Sequence, residues 1–445
     1  MSINPVEIPT GAVRYNTDSN KMEVYIGSTW MEVAVSSPNL DGGSRGLING
    51  GYSPGAPNSG RLNNIEFVTI TSAGNSQDFG DLTSVGRSST GSCASRTRSI
   101  VMGGFDESAP AYRDIIDFVT FSSTGNATDF GNLTINRQPP CSFSNATRGC
   151  CAGGYAIAPL ISPNQNVTVI DFVTIAVEGN AVDFGDMTVA FRSRYSCQSP
   201  TRGFMAGGFS ALVDTIDFVT FASTGNATDF GNLTQSRWVM CQGAADSTRG
   251  MFVGGLDPGP STTFNIIDFI TMAQTGNAVD FGDISSTRRM GSGCQSSTRA
   301  IFAGGYTPSN TNVIDFVTTS TTGDAADFGD LNYEQKNGSA ASNSTRGLFF
   351  GGNDGGNPYN NNISFITIAT KGVNAADFGD LTVSVGGGGS SSSSTRAVRG
   401  GGLAPGNSNV IDMVEIVTTG NAVDFGNLNA KGHNLQGFSN GHGGL

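Results

Sequence analysis

Eight aspartates in this chain head the same triplet. Asp-Phe-Gly begins at Asp78, Asp129, Asp183, Asp229, Asp280, Asp327, Asp377 and Asp424, at intervals of 46 to 54 residues. A single such Asp can hold magnesium in phosphoryl transfer, but only beside a catalytic His-Arg-Asp loop and a Val-Ala-Ile-Lys strand. Neither is present, and eight copies make the triplet a structural refrain. Its Asp is expected to accept hydrogen bonds from backbone N–H groups of its own repeat. A calcium site would need six to eight oxygens, and no dense acidic loop supplies them.

Eight arginines recur as well: Arg45, Arg98, Arg148, Arg202, Arg249, Arg299, Arg346 and Arg396. A ring of guanidinium groups can bind an anion. The bland expectation is that each pairs with a carboxylate of a neighbouring strand, such as Asp117, Asp171, Asp217, Asp268, Asp315 or Asp412. Catalysis has little to work with. The chain has 2 His, His433 and His442, both near its end, and no Ser-His-Asp, Cys-His or His-Glu-x-x-His set is recognisable. A propeller copper site needs several His and Tyr ligands, which two tail His cannot supply. An acid–base pair of carboxylates, as in glycoside hydrolysis, stays open as a lesser alternative. The 7 Cys lack metal-ligand spacing and read as reduced core residues, so no metal and no cofactor are expected.

The elements that carry these residues repeat with them. Each unit holds a small polar segment, a turn that is usually Ser-Thr-Arg or close to it, an apolar run ending in Gly-Gly, an alternating strand of the type Ile-Asp-Phe-Val-Thr, a turn of the Thr-Gly-Asn type and the Asp-Phe-Gly strand. Four strands per unit of this length make the blade of a β-propeller. The turn Arg precedes the second Gly of Gly-Gly by 6 residues in all eight units. Only the segment between Gly-Gly and the third strand varies, from 7 to 15 residues. In antiparallel blades those segments emerge on one face, and such loops are where binding resides. They are rich in Pro, Asn, Ser and Tyr. Their aromatic and acidic residues, Asp106, Glu107, Tyr112, Asp257, Phe264, Tyr306 and Tyr359, are the candidate ligand contacts, because Tyr stacks on a sugar while amides and carboxylates bond its hydroxyls. The tail Gly432–Gly444 reads as the innermost strand of the first blade; the segment before Arg45 is the weaker alternative.

The order of these segments resembles the kelch repeat. Gly103–Gly104, Gly207–Gly208 and Gly304–Gly305 match its glycine pair, Phe130, Phe230 and Phe328 stand where kelch has Trp, and Arg87, Arg137, Arg192, Arg237 and Arg288 correspond to its Arg after the fourth strand. The N-terminal stretch Gly11–Val33 resembles a segment near the start of tail-fibre and other virion proteins of tailed phages. Arg14-Tyr15-Asn16-Thr17, Lys21-Met22-Glu23 and Gly27-Ser28-Thr29-Trp30 carry that likeness. The repeated TGNAxDFGDLT and STRGxFxGG forms resemble virion structural proteins of phages infecting marine cyanobacteria.

The expectation is therefore an all-β protein. Residues 1–38 form an N-terminal β-hairpin attachment segment, and residues 39–445 an eight-bladed kelch-like β-propeller of four-stranded antiparallel blades. The resemblance implies a virion surface protein; with the loop chemistry and the lack of a catalytic set, the expectation is a non-enzymatic, tail-associated fibre or adhesin that binds host surface glycans through the variable loops. It also implies attachment to other virion proteins through Arg14, Tyr15, Asn16, Tyr25 and Trp30. A head, neck or baseplate decoration is the first alternative and a propeller glycosidase the second. The net charge of -12 argues against nucleic acid as partner. No run is long and apolar enough for membrane insertion. Homo-oligomers are left open.

Overall fold

The computed structural model describes residues 11–16, 21–26, 29–32, 45–49, 53, 61–70, 76–83, 86–87, 90–95, 97–106, 112–138, 141–156, 165–191, 195–208, 213–238, 244–245, 248–257, 262–289, 291–296, 298–353, 359–393, 395–404, 406–428, 431 and 436–439. The chain divides into two units, Met1–Leu40 and Asp41–Leu445.

In the first unit Val13–Asn16, Lys21–Ile26 and Thr29–Glu32 form a three-stranded antiparallel sheet, one strand more than a simple hairpin. On one face Arg14 bonds Glu23 at 2.8 Å and lies over the Trp30 ring at 4.2 Å, with Tyr25 tilted against Trp30. On the other, Val13, Ile26 and Met31 are exposed.

The second unit is propeller-like. Among the described residues it holds eight four-stranded antiparallel sheets, here numbered in chain order. Sheet 2 shows the pattern: Gly91–Ala94, Arg98–Met102, Ile115–Thr120 and Thr128–Asn132 lie side by side in that order. Sheet 1 differs. Its first strand is Gln436–Ser439, which pairs antiparallel with Arg45–Asn49.

Alternation along the third strand explains how the sheets stack. Ile116 and Phe118 face sheet 3, where they meet Val173 and Ile175. Val119, one residue on, faces sheet 1 and meets Phe67 and Leu82. Both faces of each sheet are thus buried, so each strand spends its apolar residues on two neighbours. Eight such clusters follow one another, and the last joins Val398, Ile411 and Phe425 of sheet 8 to Val68 and Ile70 of sheet 1. Within sheets 1 to 7 the Phe of the third strand meets the Phe of Asp-Phe-Gly edge-on, at 5.6 to 5.8 Å between centroids. Met413 takes that place in sheet 8.

The refrain is a latch between sheets. A β-bulge at Asp129–Gly131 shifts the register, and the Asp129 carboxylate accepts from the Gly131 N–H at 2.9 Å. All eight repeats make this bond, at 2.8 to 3.0 Å. The Glu178-Gly179-Asn180 turn of the next sheet then docks on the bulge. Gly179 N–H donates to Phe130 O at 2.8 Å, Ala181 N–H to Asn132 O at 2.8 Å, and the Asn180 amide oxygen accepts from Asn132 N–H at 3.1 Å. Gly131 has φ +140, and a Cβ there would come 2.6 Å from the Gly179 backbone. Glycine is therefore required twice over, for conformation and for space. At the seam between sheets 8 and 1, the Ser76 hydroxyl donates to Asn427 O at 2.9 Å.

The turn arginines do not meet the third-strand aspartates, although Arg98 pairs with Glu178 at 3.6 Å and Arg396 with Glu415. Arg98 lies over the Phe118 ring of its own sheet at 4.5 Å and donates to Ile175 O of the next sheet at 3.1 Å. Arg202, Arg249, Arg299 and Arg346 reach Met272, Thr319, Ile368 and Ile416 carbonyls in the same way, at 2.7 to 3.0 Å. Arg45 and Arg148 reach Phe121 and Phe221. Arg396 of sheet 8 reaches Ile70 of sheet 1 at 3.2 Å. The reason is reach: the turn sits at one end of the sheet, and the aspartate side chain belongs to a cluster at the other.

Candidate functional site

That cluster underlies the variable face. Leaving the fourth strand of sheet 1, Thr83 and Arg87 converge on Asp117 of sheet 2, and the Arg87–Asp117 pair closes at 2.6 Å with both side chains fully buried. Arg137–Asp171, Arg237–Asp268 and Arg288–Asp315 repeat it at 2.9, 2.8 and 2.6 Å. These are the arginines matched to kelch; Arg192 lies outside the described residues. Burial pushes the Asp117 carboxyl up and the Arg87 guanidinium down from their ordinary values, and attraction between them opposes both shifts. Sheets 1, 7 and 8 depart from the pattern. Glu66 and Ser364 replace the Asp in sheets 1 and 7. In sheet 8 the buried Arg399, from the second strand, faces Asp412, and burial pulls its guanidinium down to about 10.

These pairs pin each incoming linker to the sheet it enters. The residue after the pinned Arg then bridges, in antiparallel fashion, to the residue after Gly-Gly: Gln138 to Tyr155, Trp238 to Leu256, Arg289 to Tyr306. Lys336 follows the buried Gln335 and bridges to Asn353 in the same way. A row of half-buried aromatic and cationic side chains results. Arg61 lies over Phe105 at 4.4 Å, and Tyr112 packs on Phe105 at 5.4 Å and edge-on against Tyr155 at 6.1 Å. Further round, Arg289 and Lys336 both approach the Tyr306 ring, at 5.4 and 4.4 Å.

The sequence candidates distribute unevenly over this row. Tyr112 and Tyr306 belong to it. Tyr359 pairs with Asn353 and packs beside Gly386. Asp257 and Phe264 lie not in a free loop but on a long hairpin, Arg249–Asp257 with Thr262–Thr271, where Asp257 faces Thr262 and Phe264 faces Gly255. Asp106 is 1% exposed and bonds Arg113 at 2.5 Å, so its carboxylate shapes the loop instead of meeting a ligand. Glu107 lies outside the described residues, as do His433 and His442 and the side chains of Tyr15 and Asn16. Sequence reasoning missed Arg61, Phe105, Tyr155, Arg289 and Lys336. The signal for several was a fixed offset, one residue past the pinned Arg or past Gly-Gly.

Among the described residues no group of three His, Cys, Asp or Glu side chains is placed to hold a metal ion. No family model matches the chain, and no curated protein matches it. Among solved structures, one titled "Structure of YjhT" aligns with a TM-score of 0.44 at 10% identity, covering 65% of this chain and 97% of that one.

Proposed function

We propose that the chain is a phage virion surface protein, an eight-bladed propeller that binds host-surface glycans on its variable face. Residues 1–38 attach it to other virion proteins. The observation that carries the glycan reading is the division between the faces. Latches and turn arginines lock each sheet to the next at one end. The other end bears the length variation and a row of half-buried Phe105, Tyr112, Tyr155 and Tyr306. Rigid aromatics on a locked frame, with adjacent amides and hydroxyls, suit sugar recognition at low entropic cost. Single sites of this kind bind near millimolar, roughly 4 kcal/mol, and copies on a particle multiply that.

In the attachment unit, the Arg14–Glu23–Trp30–Tyr25 face satisfies itself, so the face with Val13, Ile26 and Met31 is the one that seeks a partner. The test of the glycan reading uses the full chain against immobilised host-surface polysaccharide. Shortening the Tyr52–Asn64 and Tyr155–Val169 loops to the length of Phe209–Thr215 should preserve the melting curve and abolish retention. Unchanged retention would refute the role of this face.

A further inference from the structure

Two cations share one aromatic ring at Tyr306, in a protein that is strongly acidic as a whole. Arg289 arrives from the linker entering sheet 6, directly bridged to Tyr306. Lys336 arrives from the linker entering sheet 7. Their distances to the Tyr306 centroid, 5.4 and 4.4 Å, put the two charges within about 10 Å of each other, roughly a Debye length. Neither forms an ion pair among the described residues, and Arg289 Nε is enclosed without a hydrogen-bond partner. The nearest carboxylate in sequence, Glu334, is exposed and pairs with neither. Other cations of this chain do meet a carboxylate: Arg113 meets Asp106, Arg288 meets Asp315 and Arg396 meets Glu415. Here two like charges are held together with no carboxylate paired to either among the described residues. Such an arrangement repels itself until an anion bridges it.

We propose that Arg289, Tyr306 and Lys336 form a subsite for an acidic sugar residue, one bearing a carboxylate or a sulfate. This rests on the glycan reading above and names its substrate class. The anionic group bridges the guanidinium and the ammonium by charge-assisted hydrogen bonds, and the half-buried Tyr306 gives the sugar ring an apolar edge to pack on. With a net charge of -12, the protein repels polyanions in general, so retention of one requires a local site.

The experiment measures binding of the full-length protein to polygalacturonate, dextran sulfate and neutral dextran by calorimetry in low salt. Either acidic polymer should bind and neutral dextran should not; which acid binds tells carboxylate from sulfate. Arg289→Gln and Lys336→Gln should each weaken binding about tenfold, Tyr306→Ala should weaken it further, and Glu334→Gln should not weaken it. Melting curves confirm that each variant is folded. Equal binding of neutral and acidic polymers would overturn this inference while leaving the glycan reading standing. Binding of none of them, nor of host-surface polysaccharide, would overturn both. Acid-selective binding unchanged in Arg289→Gln and Lys336→Gln would overturn the assignment to these residues.

Discussion

Gly131→Ala tests the latch on which the ring depends. Two costs add at this position. The residue has φ +140, where a side chain is strained by roughly 1–3 kcal/mol. The new Cβ would also sit 2.6 Å from the Gly179 carbonyl carbon, which is backbone and cannot swing aside. Overpacking of that kind costs typically 1–3 kcal/mol more. Gly179→Ala separates the two terms, because Gly179 has φ +153 but nothing within 4 Å of its absent Cβ. Gly131→Ala should therefore lose about 2–6 kcal/mol in urea titration, and Gly179→Ala only the conformational share of roughly 1–3. Hydrogen exchange gives a local readout. The Gly179 amide, bonded to Phe130 O at 2.8 Å, should lose protection in Gly131→Ala before amides of the inner strands do. If the two variants unfold at the same urea concentration with the same exchange pattern, the close approach is not what selects glycine, and the latch reasoning fails.

Three further outcomes follow from the buried groups and the seam. Arg237→Met alone should destabilise by about 3–5 kcal/mol, since it strands the Asp268 carboxylate, whereas Arg237→Met with Asp268→Leu should recover most of that in chemical denaturation. Burial pushes the Cys93 and Cys197 thiols up to about 12, so at pH 8 only about one in 10⁴ is thiolate, and neither should react with a disulfide reagent until urea unfolds the chain. Deleting residues 432–445 removes the strand Gln436–Ser439 and leaves Arg45–Asn49 as an open edge, so light scattering should show aggregation and the melting point should fall; a monomer melting like the full chain would refute this.

Periodicity made much of the fold legible. The alternation in Ile-Asp-Phe-Val-Thr marks a half-buried strand, which the structure shows buried on both sides, and the constant offsets mark four strands per unit. The bond from the Asp-Phe-Gly aspartate to its own backbone was also legible, because it spans two residues. What could not be read were partners across sheets. Two arginine series recur at equally regular offsets, and chain spacing alone does not say that Arg87 meets Asp117 while Arg98 passes over a ring to a carbonyl 77 residues away. The long hairpin at Asp257 and Phe264 was hidden for a related reason. Pro and Gly in its sequence signal a loop, yet pairing resumes beyond the Gly254–Gly255 irregularity, where Gly255 faces Phe264. At the candidate site Tyr306 was found by its type, whereas Arg289 and Lys336 were not, since only the fold brings two linkers to one ring.

The mixed parentage of sheet 1 governs how the molecule is made. Arg45–Asn49 is among the first parts of the ring to leave the ribosome, and its inner partner Gln436–Ser439 is among the last. At about 5–20 residues per second, tens of seconds separate them. Throughout that interval the first sheet stands with one strand missing. The seven later sheets each close as they emerge, so the chain grows as an open arc with a sticky leading end. Gln436–Ser439 acts as a clasp, and assembly quality depends on whether that end stays unoccupied until this strand arrives.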